Sequence, residues 1–508
     1  MISRLYSSTV VGFSSELIEV ECDAGTGMFS FVVVGLPDAA VQESRERVRS
    51  AIKNSGLPFP RGRVTVNLAP ADVRKEGPGF DLPIALSIVL AEKEERNEDV
   101  SKSLFLGELS LDGEVRSVPG VLSACIMARE HKIRSVFVSS SNAREASLIR
   151  DITVYPVCTL SQAVAHVLGL ERIEPYPTSD AVFSPPSKSE YDMAFVRGQE
   201  HAKRAFEIAA AGGHNLLLFG PPGSGKTLLA RTMPSILPSM SFDEMIEVTQ
   251  LASVANILLQ SESEQLRSER PFRSPHHTSS AVALVGGGSI PKPGEISLAH
   301  RGVLFLDEFP EFSRSTLEAL RQPLEDGTVT VSRSSGTVRF PARFMLLAAQ
   351  NPCPCGYFGS AERQCSCSMQ QILAYHKRVS GPLLDRFDLF VEVPPVEIAK
   401  LEAKPVAESS ECVRSRVQAA RSRQMHRFGS SATNAELSSR QTDEHCCLDD
   451  ETREFLRTAL VRFKLSTRSY YRVLKVGRTI ADLSGAETIA LSHIAEALQY
   501  REKARALM

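Results

Sequence analysis

The segment Gly220-Pro221-Pro222-Gly223-Ser224-Gly225-Lys226-Thr227 constrains this chain more than any other. It fits the pattern G-x-x-x-x-G-K-[ST]. The apolar run Asn215–Phe219 precedes it, and a helical pattern, TLLARTM, follows. Strand, glycine loop and helix in that order wrap backbone N–H groups around phosphate oxygens and add the positive end of a helix dipole. Lys226 is then expected to reach the β- and γ-phosphates of ATP, and Thr227 to ligate Mg²⁺. A loop of this kind needs a parallel sheet behind it, so the fold class is α/β.

Two further strands fit the same sheet. Gly302-Val-Leu-Phe-Leu-Asp307-Glu308 is an apolar run that ends in two acids. Buried parallel strands read as continuous apolar runs, and ligands collect at their C-terminal ends. Asp307 is expected to hold the magnesium shell and Glu308 to deprotonate the attacking water. Phe344–Gln350 is the third strand and ends at Asn351, whose amide can bond the water or the γ-phosphate. Taken alone, an Asn before Pro reads as a turn residue. Gly381-Pro-Leu-Leu-Asp-Arg386-Phe-Asp388 offers an arginine that can act on a phosphoryl group across a subunit boundary. Taken alone, Arg386 reads first as a surface ion-pair residue.

The chain has 508 residues, which predicts two or three domains. Its net charge of -2 excludes a globally basic surface, so any nucleic-acid contact has to come from a local patch. No signal peptide and no apolar stretch of membrane-spanning length is apparent, and the ten cysteines do not form a disulfide framework. A cytoplasmic protein without a membrane partner is expected.

Residues 1–172 alternate strands (Leu17–Cys22, Phe29–Val34, Arg63–Leu68, Ser135–Val138) with helices (Ala39–Asn54, Leu82–Lys93, Ala143–Leu148), giving an α/β domain. Residues 173–190 are rich in Pro and Ser and read as a linker. Residues 191–400 form the ATPase core, with a Cys-rich insertion at 353–367. Residues 401–508 read as a helical lid.

The order of phosphate loop, acidic strand, Asn351 and Arg386 resembles the AAA+ ATPases, in the branch of magnesium-chelatase ATPase subunits, MCM helicases and MoxR proteins. The stretches VRGQEHAKRAFEIAAAGGHNLLLFGPPGSGKT, FRSPHHTSSAVALVGGG, PKPGEISLAHRGVLFLDEFPEF, NPCPCGYFG and GPLLDRFDL look like the YifB/ComM family of magnesium-chelatase-like proteins. So does GLPDAAVQESRERVRSAI with VNLAPADVRKEGPGFDLPIAL nearer the N-terminus. The resemblance spans nearly the whole chain. It implies a homo-hexameric ATPase that binds DNA and, among ComM members, drives branch migration during natural transformation. It also implies that Asn351 is the first sensor, Arg386 the finger acting in trans, and Arg468 the second sensor at the start of a lid helix, with Arg472 a weaker candidate. Thr467 stands where the family has a small residue. Residues 17–140 resemble the Lon-protease fold. The expected Ser and Lys positions fall near Gly79 and Ser123, so no Ser–Lys dyad can be assembled and a binding or assembly module is expected.

Cys353, Cys355, Cys365 and Cys367 form CxC-x9-CxC, a candidate structural Zn²⁺ site; the other reading is four reduced thiols on a loop. His276 and His277 are adjacent and read as structural or hydrogen-bonding residues rather than metal ligands. Thr328–Phe340 alternates as a hairpin. In related motors a hairpin here faces the pore, which makes Arg333 and Arg339 candidate DNA-phosphate contacts; a solvated hairpin is the other reading. Cys412–Arg427 carries Arg414, Arg416, Arg421, Arg423 and Arg427 without an acid, and reads equally as a phosphate-tracking helix or as a solvated or subunit-contact face.

The reading is a DNA-dependent ATPase and translocase acting on single-stranded, duplex or branched DNA without sequence preference. The rivals are a MoxR-type protein-remodelling chaperone, a magnesium-chelatase ATPase subunit and an adaptor with a dead ATPase. Intact Lys226, Asp307, Glu308 and Arg386 speak against the last.

Overall fold

The computed structural model describes residues 2–75, 77–92, 102–177, 190–255, 267–288, 292–333, 336–359, 363–396, 408–463 and 465–502. Most of the expected linker 173–190, the hairpin turn and the side chain of Arg333 lie outside them. The chain divides into two compact units, residues 1–183 with 249–267, and residues 184–248 with 268–508.

The first unit is built on a seven-stranded mixed sheet. Its order is Ser30–Val34, Arg63–Ala69, Ser14–Gly25, Ile2–Val11, Ser103–Phe105, Ser135–Ser139 and Thr153–Val157. Val64, Val66 and Leu68 point into the core while Arg63, Thr65 and Asn67 alternate away from it. The helix Asp81–Ala91 is buried along its whole length against this sheet. Burial of its Asp81 is compensated by donors: Ser44 Oγ, Arg47 Nε at 2.8 Å and Leu109 N at 3.2 Å all reach the carboxylate. These bonds fix the helix Ala39–Asn54 against it, itself capped by Asp38, which accepts from Val41 N at 2.8 Å.

The second unit carries a five-stranded sheet, parallel throughout, in the order Phe272–Arg273, Val303–Leu306, Met345–Gln350, Leu216–Phe219, Leu389–Glu392. Its central strands are buried end to end, which explains the unbroken apolar runs LLLF, VLFL and MLLAAQ. The helix Glu200–Gly212 ends at Gly213, whose left-handed φ of 72° closes the last turn. Helices Ser410–Phe428, Ser439–His445, Asp450–Arg462, Thr467–Ser484 and Leu491–Glu502 follow the sheet.

The arginines of Ser410–Phe428 are committed within the chain. Arg414 donates to Ser235 O, Arg421 to Ala210 O and Arg423 to Asp482 O. Arg416 pairs with Glu207 and Glu408, and Arg427 with Asp482. These bonds tie the helix to its own unit, to Glu207 and Ala210 on the helix Glu200–Gly212, to Ser235 and to Asp482. A further tie joins these C-terminal helices to the segment that leads into the sheet. His214, fully buried before the first strand, shares a 2.7 Å hydrogen bond with Thr479 Oγ1 on the helix Thr467–Ser484.

Candidate nucleotide site

The phosphate loop leaves the C-terminal end of the inner strand Leu216–Phe219, flanked by strands Met345–Gln350 and Leu389–Glu392. Gly223 and Gly225 take left-handed φ values of 77° and 89°, open to glycine without strain. At Gly220 a Cβ would stand 2.2 Å from Val393 O, so the loop can begin there only with glycine. Gly225 then caps the helix Lys226–Ile236.

Lys226 is 8% exposed. Its Nζ donates to Gly220 O and Pro221 O at 2.8 Å and to Asn351 Oδ1 at 3.1 Å. Burial pushes this ammonium down to about 8, against the pull of Asp307. Ser224 Oγ is buried in the same loop without a hydrogen-bond partner. A buried cation short of counter-charge and an unsatisfied hydroxyl fit a loop that receives phosphate. Thr227 Oγ1 donates to Asp307 Oδ2 at 2.7 Å, and Glu308 N donates to Asp307 Oδ1 at 2.9 Å. A hydroxyl and a carboxylate paired beside the loop are the oxygen ligands a hard Mg²⁺ takes. The structure therefore brings together Lys226, Thr227, Asp307 and Asn351.

Glu308 stands next to them with φ at 51°, an uncommon conformation for a residue with a side chain. Its carboxylate turns to His277, with Nδ1 3.1 Å from Oε2. His276 lies against His277, ring centroids 4.1 Å apart and planes tilted by 34°, and bonds Thr278 Oγ1 at 2.9 Å. Sequence reading gave the two histidines a hydrogen-bonding role but missed the partner. The available signal was position: FRSPHH begins with the strand Phe272–Arg273, which pairs with Val303–Leu306, the strand that delivers Glu308.

Arg386 and Arg468 are elsewhere. Asp388 directly precedes the strand Leu389–Glu392, so Arg386 lies at the N-terminal edge of the parallel sheet, while Gly220 follows a C-terminal end. Four strand residues span about 13 Å, which puts the two edges out of reach of one another. Arg386 is 5% exposed and its Nη2 stands 2.5 Å from Glu325 Oε1. Arg468, on the helix Thr467–Ser484, approaches the same oxygen at 3.7 Å. Arg472 pairs with Asp388 at 2.8 Å; burial pushes the Asp388 carboxyl up, but Arg472 and His214 hold it far below the usual range. These residues line a cavity of about 800 Å³.

The cysteines converge: the Sγ atoms of Cys353, Cys355, Cys365 and Cys367 all lie within 4.8 Å of one another. The strands Thr328–Arg333 and Gly336–Pro341 pair as the expected hairpin, and Arg339 on it is exposed.

Fold and site define an AAA+ P-loop protein of the magnesium-chelatase type. The family described as magnesium chelatase, subunit ChlI matches residues 192–401; a second, described as subunit ChlI of Mg-chelatase, matches 19–142, and a third, magnesium chelatase, subunit ChlI C-terminal, matches 407–501. The chain is 45% identical to the competence protein ComM of Haemophilus influenzae, over all of this chain and 98% of that one. It is 42% identical to YifB of Escherichia coli over the same shares. A 38 kDa magnesium-chelatase subunit of Cereibacter sphaeroides is 26% identical over 32% of this chain and 54% of its own length. The chain belongs to the YifB/ComM family of magnesium-chelatase-like proteins. Among the described residues no helix is long and apolar enough to cross a membrane.

Proposed function

We propose that this chain is a DNA-dependent ATPase that works in the cytoplasm as a ring of six copies, translocates on DNA and promotes branch migration of incoming strands. The observation that carries the reading is the separation within one chain. Lys226, Thr227, Asp307 and Asn351 sit at one edge of the sheet, and Arg386 with Arg468 at the other. A phosphoryl-transfer site with its arginines out of reach is completed by a second copy.

Bound ATP with Mg²⁺ supplies the γ-phosphoryl group. Lys226 and the backbone N–H groups of Gly223, Ser224 and Gly225 bind and orient it, as does the neighbour's Arg386, while Gly220, Pro221 and Pro222, the prolines without an N–H to donate, shape the loop around it. Thr227 and Asp307 hold the cation. Glu308 takes the proton of the attacking water, oriented with Asn351. The direction toward DNA rests on family membership, on a relative named as a competence protein, and on exposed Arg339 on the hairpin. Arg333 is proposed beside it. Residues 1–172 are read as the binding or assembly module, and 401–508 as the lid.

The cysteine cluster is proposed to hold structural Zn²⁺. Zinc–sulfur bonds of about 2.3 Å set tetrahedral S–S edges of about 3.8 Å. The spacings here are 3.3, 3.5 and 3.7 Å among Cys353, Cys355 and Cys365.

The test is the ATPase rate of the full chain alone and with single-stranded, duplex and four-way-junction DNA. Stimulation by DNA irrespective of sequence is expected. Hydrolysis that no DNA changes would sink the translocase reading and return the chaperone and chelatase alternatives.

A further inference from the structure

A finger that serves a neighbouring copy has to meet that copy's phosphate, yet Arg386 is 5% exposed and both of its terminal nitrogens are held inside its own chain. Its Nη2 pairs with Glu325 Oε1 at 2.5 Å and its Nη1 donates to Pro382 O at 2.5 Å, while Nε is buried without a partner. Glu325 also faces Arg468 at 3.7 Å. Burial disfavours the charge on Arg386, and Arg321, Arg468 and Arg472 add repulsion that Glu325 offsets. Asp388, another carboxylate lining the cavity, is taken by Arg472 and by Asn215 N at 3.1 Å. Glu325 itself is half exposed to the cavity. Guanidinium pairs with carboxylate and with phosphate alike, so an entering phosphate competes with Glu325 for Nη2 and with Pro382 O for Nη1.

We propose that Glu325 is a positioning residue: the internal counter-ion that Arg386 gives up for the neighbouring copy's γ-phosphate, so that Glu325 holds down the resting hydrolysis rate. The inference rests on the reading of Arg386 as a residue acting across the subunit boundary. Its place in the chain also links it to the hairpin. Glu325 is in the helix Arg321–Asp326, Gly327 closes that helix with a left-handed φ of 63°, and the hairpin begins at Thr328. A pull on the hairpin is therefore transmitted to Glu325 through two residues and frees the arginine.

The experiment measures DNA-free kcat and KM for ATP in full-length wild type, Glu325→Gln, Arg386→Ala and the double variant, with ring assembly and melting temperature followed in each. Glu325→Gln is expected to raise kcat about threefold to fivefold with KM little changed, as the loss of a half-exposed ion pair allows. The double variant should be as slow as Arg386→Ala. A kcat at or below wild type in assembled Glu325→Gln, with Arg386→Ala inactive, overturns the inference and leaves the boundary-crossing reading intact. Wild-type hydrolysis by Arg386→Ala sinks that reading and the inference with it. Should Glu325→Gln melt at a lower temperature, Glu325→Asp decides: the retained charge keeps the rate near wild type if the proposal holds, and a rise equal to that expected for Glu325→Gln overturns it.

Discussion

His277 Nδ1 stands 3.1 Å from Glu308 Oε2, and this contact sets the direction of a carboxylate whose backbone is held at a φ of 51°. Backbone strain of this kind costs of order 1–3 kcal/mol and persists where the surroundings impose it. Glu308 is half exposed, so without His277 its side chain samples several rotamers. His277→Ala is expected to lower kcat about tenfold with KM for ATP unchanged. His277→Asn, whose amide nitrogen falls near the place of Nδ1, should recover most of it. Glu308→Gln should still bind ATP and stop turnover, since general base catalysis contributes 10²–10⁴-fold. Steady-state kinetics with ATP titration reads all three, and unchanged hydrolysis in Glu308→Gln refutes its assignment.

Lys226 gives a pH signature. Its folded value lies near 8 and the ordinary lysine value is 10.5. Between these the unfolded chain binds more protons than the folded one, so this group's contribution to stability rises with pH through the window and is lost as pH falls through it. In the nucleotide-free protein, the difference in unfolding free energy between wild type and Lys226→Met should shift toward wild type by about 3 kcal/mol between pH 7.5 and pH 11. Denaturant titrations at the two pH values measure it. A difference independent of pH would mean that the ammonium is not held in a desolvated site.

The phosphate site was legible because its chemistry is local. Gly220–Thr227 is one segment, and Asp307 and Asn351 each end an apolar run that can only be a buried strand. The strand Ile2–Val11 was not legible. Its inward positions include Ser3, Ser7 and Thr9, all buried, and Ser3 Oγ is satisfied by Ser87 O at 2.6 Å, a partner far along the chain. The basic helix stayed open in the sequence for the same reason: the acceptors of Arg414, Arg421 and Arg423 are backbone carbonyls on other helices, invisible to a count of nearby acids. Glu325 carries no sequence signal at all, because its role comes from Arg386 and Arg468 arriving from distant segments.

The cysteine cluster predicts about one zinc per chain in protein prepared without chelator. The loop begins right after Asn351, and a Cβ on its Gly356 would meet Pro222 Cγ of the phosphate loop at 2.4 Å. Stripping the metal should therefore loosen the nucleotide site as well as the insertion. Cys365→Ser with Cys367→Ser is expected to lose the zinc, lower the melting temperature by several degrees and weaken ATP binding. Elemental analysis that finds no zinc in the wild type removes the assignment.

The subunit boundary gives the most demanding prediction. Arg386 sits at the sheet edge opposite Lys226, so each chain offers a phosphate loop at one edge and an arginine at the other. An arginine that meets charge only as the phosphoryl group transfers slows hydrolysis when lost far more than it weakens ATP binding. Arg386→Ala should cost about a thousandfold in kcat and leave nucleotide affinity near wild type. Lys226→Ala should fail to bind and assemble on ATP by itself, yet its Arg386 remains intact. Mixed rings of the two variants then contain some sites with a working loop from one copy and a working arginine from the next. ATPase above the sum of the separate variants is the expected result, with subunit exchange checked by differently labelled chains. Exchange without added activity would show that Arg386 does not act across the boundary. Attention would then pass to Arg378, which is half exposed and pairs with Glu311 at 2.5 Å.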